Sequence, residues 1–122
     1  MAETKLRKRS EIPEEYKWKL EDMYETDELW EEEADKLAKL GDEMAQFQGK
    51  LGESASNLLA FMKKKDEISY YIARVIVYSN QRSHQDTAVT KYQGYVAKAE
   101  SVAVGVSSAM AFADPEILSI DA

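Results

Sequence analysis

The feature that most constrains this chain is an apolar repeat near its C-terminal end. Val89, Tyr92, Val96, Ala99, Ala103, Val106, Met110 and Ala113 follow one another at alternating steps of three and four. Only a helix brings such positions onto one side, and an apolar stripe of that length needs partner elements to cover it. A second stripe, Trp30, Ala34, Leu37, Leu40, Met44 and Phe47, has the same spacing. With only two prolines and five glycines in 122 residues, there is little to punctuate short strands. The expected fold is all-α: an antiparallel bundle of three or four long helices with an extended N-terminal segment.

Boundaries follow from capping chemistry. Thr26 or Asp27 caps the first helix, and Asp27 and Glu28 suit its positive end. Gly49 through Gly52 break the chain, and Ser54 caps the next helix, whose apolar side is Leu58, Leu59, Phe61 and Met62. Lys63-Lys64-Lys65 suits a C-terminal turn, so a bend or short break is expected there. From Asp66 to about Gln85 the residues are β-branched and aromatic, which permits a strand. The run has no turn residue, which favours a helix, central and buried on several sides. His84 to Thr87 reads as a polar connection, with Asp86 or Thr87 capping the last long helix. Gly105 lies within that helix at a cost of about 1 kcal/mol relative to alanine, which close packing could offset.

Before these helices, residues 1–11 read as a flexible, charged tail. Pro13 biases Ile12 towards an extended conformation, and Tyr16, Trp18, Leu20, Met23 and Tyr24 are dense enough to pin the approach segment to a core. At the far end, Asp114-Pro115-Glu116 opens another helix, with Asp114 as the cap and Pro115 in the first turn. The expected organisation is therefore a tail over residues 1–11 and a helical domain over residues 12–122, truncated just after the start of a further helix.

Charge and residue inventory narrow the chemistry. The net charge of −7 is opposite to what phosphate backbones or anionic lipids attract. Lys5, Arg7, Lys8 and Arg9 are read as a solvated end. There is no cysteine and a single histidine, His84, too few for a thiolate zinc site or a hydrolytic triad with its own nucleophile and base. His84 reads as a surface residue of a connection. Glu31, Glu32, Glu33 and Asp35 read as a solvated helix face, since no calcium-loop spacing accompanies them. Tyr70, Tyr71, Tyr78, Tyr92 and Tyr95 could line a groove, or could share core and rim roles with each hydroxyl satisfied locally. No catalytic, cofactor-binding or metal-ligating residue is assigned. The run Val102 to Ala113, about a dozen residues, is shorter than the roughly 20 that span a bilayer, and the charged N-terminus lacks the apolar stretch of a secretory signal.

The order of motifs resembles the opening of oligoendopeptidase F peptidases, zinc metallopeptidases of the thimet oligopeptidase-like group. Trp18, Leu20, Asp22 and Tyr24 match a W-x-L-x-D-x-Y approach, followed by a tryptophan, Trp30, on the first helix. Phe47-Gln48-Gly49-Lys50-Leu51 matches F-x-G-K-L. Val77 to Thr87 is similar to a Y-A-x-x-R/L-x-x-x-D-T segment, with Ser79 in place of the usual alanine. Phe112, Pro115, Glu116, Ile117 and Leu118 match a helix-to-helix junction. Together these motifs cover nearly the whole chain.

The resemblance implies an N-terminal helical domain forming a channel wall or lid over a peptidase that cleaves short peptides in the cytoplasm. In such a parent, a His-Glu-x-x-His helix and a later glutamate hold the zinc. Those residues would lie hundreds of positions downstream, so no catalytic residue carries over, and Tyr78, Arg82 and Asp86 are read as structural. The implied partners are the missing catalytic domain and an oligopeptide, with self-association of the isolated piece expected through uncovered apolar surface. The alternative is a stand-alone helical module that binds a partner helix by its apolar seams.

Overall fold

The first stripe folds as expected. In the computed structural model, which describes residues 4–121, helix α1 runs Asp27–Ala45. Thr26 caps it, its hydroxyl accepting the Leu29 amide at 3.3 Å. Trp30, Ala34, Leu37, Leu40 and Met44 are buried along one side. Ser54 caps α2, Ala55–Gln85, by accepting from the Asn57 amide at 3.1 Å. Helix α3 spans Thr90–Ala109, and a short α4 spans Ala113–Leu118. There is no strand among the described residues.

Several expectations need correction. The break expected at Lys63-Lys64-Lys65 is absent: α2 is one helix of 31 residues. Phe61, Ile68 and Val75 are all fully buried at seven-residue intervals, so one seam continues through the lysines. Lys64 instead reaches Glu43 across the bundle at 3.3 Å. Nor is the Asp66–Gln85 stretch buried on several sides, since Tyr70, Ala73 and Val77 are exposed. His84 and Gln85 form the last turn of α2 rather than a connection. Asp86 and Thr87 do not cap α3. Val89 stands at that position without a side-chain bond, while the Asp86 carboxylate closes the preceding turn by accepting the Ala88 amide at 3.1 Å. Helix α4 begins one residue before Asp114, after Phe112. Pro115 is then its third residue, where a missing N–H still costs no intrahelical bond.

The approach segment is only locally extended. Ile12 and Lys17 have extended backbone, but they separate three short 3₁₀ turns, Arg9–Glu11, Glu14–Tyr16 and Leu20–Asp22. Leu20 and Tyr24 are buried, whereas Trp18 is 84% exposed and Tyr16 74%. The pinning is therefore done by Leu20, Met23 and Tyr24. Arg9, assigned to the tail, donates to the Gln85 side chain at 3.0 Å. Residues 1–3 and 122 lie outside the described residues, and with them the start of the expected tail and the final position of the expected domain.

Contacts between helices fix their directions. Trp30 stacks on Tyr95 and Gly41 meets Val106, so α1 and α3 run the same way. Tyr78 lies beside Trp30, and Phe61 beside both Phe47 and Phe112, so α2 runs opposite to both. The result is three long helices in an up-down-up arrangement with one aromatic cluster at each end. Gly41 sits where α1 and α3 approach most tightly: a Cβ there would lie 3.0 Å from Val106 Cγ2 and 3.2 Å from its Cα. Gly105 has no such neighbour within 4 Å, so the close packing expected at Gly105 occurs at Gly41 instead.

Candidate functional site

The densest polar cluster centres on Asp27, in the first turn of α1. Its Oδ1 accepts the Tyr78 hydroxyl at 2.7 Å, and its Oδ2 accepts the Tyr92 hydroxyl and Lys91 Nζ, each at 2.8 Å. Arg82 donates from Nε to the Tyr78 oxygen at 3.1 Å and from Nη2 to Glu21 at 3.1 Å. Its guanidinium also lies over the rings of Tyr78 and Tyr92. The approach segment, α1, α2 and α3 are thus tied through one carboxylate and one guanidinium.

The electrostatics are those of a clamp. Burial pushes the Asp27 carboxyl up, but the hydrogen bonds from Lys91, Tyr78 and Tyr92 together outweigh it and hold the group below the usual aspartate value. Burial, reinforced by the bond to Asp27, pushes the Tyr78 phenol up to about 12. A carboxylate saturated by three donors and held ionised has little basicity to offer a substrate. Tyr95 is arranged similarly: it is buried, donates to Glu31 and stacks on Trp30 with ring centroids 4.1 Å apart. Trp30 Nε1 in turn donates to the Val75 carbonyl at 3.0 Å. Tyr78, Tyr92 and Tyr95 therefore take the core-and-rim role rather than lining a groove. Tyr70 is exposed and Tyr71 half-buried.

A second cluster surrounds Arg74. It donates to the Met23 carbonyl at 2.7 Å and to the Tyr70 hydroxyl at 3.2 Å, and its Nε lies 3.9 Å from Glu33. A shallow cleft of about 390 Å³ opens beside it, lined in part by Tyr24, Leu29 and Tyr71. Of the carboxylate run, Glu31 and Glu33 are thus engaged in tertiary contacts, and Asp35 pairs with Lys98 at 2.8 Å. Glu32 and Asp35 are the exposed members and fit the picture of a solvated face. His84 is exposed. Among the described residues no group of three His, Cys, Asp or Glu is placed to hold a metal, so the zinc implied by the resemblance has no fitting donor set here.

The segment from α3 through α4, Thr90–Leu118, contains an 18-residue window of mean hydropathy 1.2. By length and composition alone this passes for a membrane span, as the core helix of a folded bundle also does. The same segment supplies Tyr95, Ala99, Val106 and Ala113 to the core.

No protein-family model and no solved structure matches the chain. Curated relatives do. Oligopeptidase PepF of Bacillus subtilis (strain 168) is 37% identical over 99% of the chain. Group B oligopeptidase PepB of Streptococcus agalactiae is 37% identical over 92%, and the chromosomal oligoendopeptidase F of Lactococcus lactis subsp. cremoris 36% over 93%. The chain spans 19% of the length of each. Along nearly all of its length, then, the chain is a homologue of the N-terminal region of the oligoendopeptidase F peptidases.

Proposed function

We propose that the chain is the N-terminal helical region of a zinc-dependent oligoendopeptidase, forming part of the wall or lid over a channel in which short peptides are hydrolysed. The observation that carries this reading is the 37% identity to PepF along 99% of the chain, confined to 19% of that relative's length. The site geometry is consistent with it: the Asp27 and Arg74 clusters join elements to one another, and neither presents a free base or nucleophile. In this reading the zinc, its ligands and the general base belong to the rest of the parent polypeptide, which works in the cytoplasm. The 122-residue piece by itself is inactive.

The test is the product of the whole gene. It is expected to contain a His-Glu-x-x-His helix, to bind zinc, and to cleave oligopeptides in a chelator-sensitive way. The 122-residue chain alone is expected to do neither. Zinc-dependent cleavage by that chain, or a gene product with no further sequence, would refute the proposal. The latter outcome would favour a stand-alone interaction module.

A further inference from the structure

Helices α1 and α3 turn different chemistry outward. The exposed side of α1 carries Glu32, Asp35, Lys39 and Asp42, the composition of a helix face in water. The exposed side of α3 carries Gly94, Ala97, Ser101, Val104 and Ser108, and Ala111 continues the line in the turn after it. These follow at steps of three and four, opposite the buried stripe, with no charge among them and Glu100 and Lys98 at their borders. Val104 is 65% exposed. Only 17% of the most apolar window in the α3–α4 segment is buried, so this apolar character is not explained by the bundle's own core.

The glycines on this helix supply a separate observation. Gly94 and Gly105 have ordinary negative φ, and a Cβ added at either would meet nothing within 4 Å. Each costs about 1 kcal/mol relative to alanine in a helix. Gly41, by contrast, is accounted for by Val106. Neither backbone conformation nor internal packing calls for glycine at 94 or 105. A close neighbour on that side would.

We infer that the outward face of α3 from Gly94 onward, continued by Ala111 in the turn after it, is a helix-docking seam, and that its occupant is an apolar helix from the remaining part of the same polypeptide. The inference rests on the reading of this chain as part of a longer peptidase. Three-four spacing of small side chains along about 25 Å of helix fits a helix lying lengthwise at the short end of the 8–10 Å interaxial range. The occupant follows from length: PepF matches this chain over 19% of its own sequence, leaving a large remainder to provide a cover. A lipid surface is disfavoured because Glu100 and Asp114 flank the seam, and the two lysines beside it, Lys91 and Lys98, are already paired with Asp27 and Asp35, which leaves no basic band of the kind that binds anionic headgroups.

The experiment places single cysteines at Ala97, Ser101 and Ser108, with controls at Glu32 and Lys39 on α1, in the full gene product. Thiol labelling is followed residue by residue by mass spectrometry, native and in urea. The seam positions are expected to label at least about 100-fold more slowly in the native protein than in urea, as buried sites do, and the controls within a few-fold. Labelling of the seam at the control rate would overturn the inference. So would protection that disappears on dilution, which assigns the face to a second copy, or protection that requires vesicles. Oligopeptide cleavage is measured on the same samples. A protected seam in a protein without peptidase activity would sink the proposed function and leave the seam standing, and an active peptidase with an open seam would do the reverse.

Discussion

The Tyr78 hydroxyl donates to the Asp27 carboxylate at 2.7 Å, across 51 residues of sequence. Because Tyr92 and Lys91 share that carboxylate, one residue at the start of α1 fixes where α2 and α3 lie. Asp27→Asn removes the charge and replaces one of the two accepting oxygens with an NH2 that faces one or two of the three donors. The expected loss is about 1–3 kcal/mol, the range for a charged hydrogen-bonding group left imperfectly paired. Urea denaturation at neutral pH measures it, and an unchanged midpoint would contradict the clamp.

The same carboxylate sets an acid limb. Its folded pKa lies below its unfolded value. Its contribution is therefore complete above the ordinary aspartate range and is lost as pH falls through the lower, folded value. Wild-type stability should decline in acid more steeply than that of Asp27→Asn. Parallel curves for the two proteins would show that Asp27 is not the group responsible.

The alkaline limb has the opposite sign. Burial raises the phenols of Tyr24, Tyr78 and Tyr95, Tyr78 to about 12. A phenol raised on folding stabilises the fold fully below its unfolded pKa, and that contribution is lost as pH rises through the folded one. Unfolding should set in between the ordinary value of 10.0 and about 12. Ultraviolet titration should show the buried tyrosines ionising together with the loss of helix. A full complement of tyrosinate in a still-helical protein would refute this.

What could be read from the sequence was what is local. Thr26 and Ser54 sit next to the amides they cap, and the α1 stripe depends only on helical spacing. A break at Lys63–Lys65 is what a basic cluster suggests in isolation, because it suits a helix end. The seven-residue recurrence of Phe61, Ile68 and Val75 outweighs it, and that spacing was visible. Asp86 was misplaced by a few residues because an aspartate that closes a turn looks the same in sequence as one that caps a helix. The Asp27 and Arg74 clusters carry no spacing signal, since each joins residues more than 50 positions apart; only the motif resemblance, which marks Tyr78 and Arg82 as structural, touches one of them. Trp18 shows the limit of composition: a large aromatic beside buried Leu20 was expected to be pinned, and it stands in solvent.

The Glu116 carboxylate ties together two segments at one end of the bundle, the end that holds Phe47, Phe61 and Phe112. It accepts from the Gly49 and Leu51 amides in the α1–α2 loop, tying α4 to a turn in which Gly49 has φ of 81°. Glu116→Gln weakens one bond by removing the charge and loses the other, because its NH2 takes the place of one accepting oxygen, at about 1–2 kcal/mol. Gly49→Ala adds the strain of a left-handed backbone, about 1 kcal/mol. Both should release α4, which hydrogen exchange would detect as faster exchange at Ser119 and Ile120. Exchange unchanged in both variants would mean that Phe112 and Ile117, not Glu116, hold α4 in place.

The glycines of α1 and α3 give the sharpest contrast. Gly41→Ala gains up to about 1 kcal/mol of helix propensity, yet its new methyl group meets the Val106 backbone at 3.2 Å. Backbone cannot swing aside as a flexible side chain can, so the two helices must part along their seam. The net effect is expected to be a loss of about 1–3 kcal/mol, the usual range for overpacking. Gly105→Ala meets nothing in the bundle. In the 122-residue chain it should stabilise by up to about 1 kcal/mol through propensity alone. In the full gene product, with α3 covered, the gain should vanish or reverse as the methyl group enters the docked helix. Thermal denaturation of the two variants in both lengths of chain provides the comparison. An equal gain from Gly105→Ala in both would show that the outward glycine has no neighbour, and a gain from Gly41→Ala would show that α1 and α3 are not in contact where Val106 is buried.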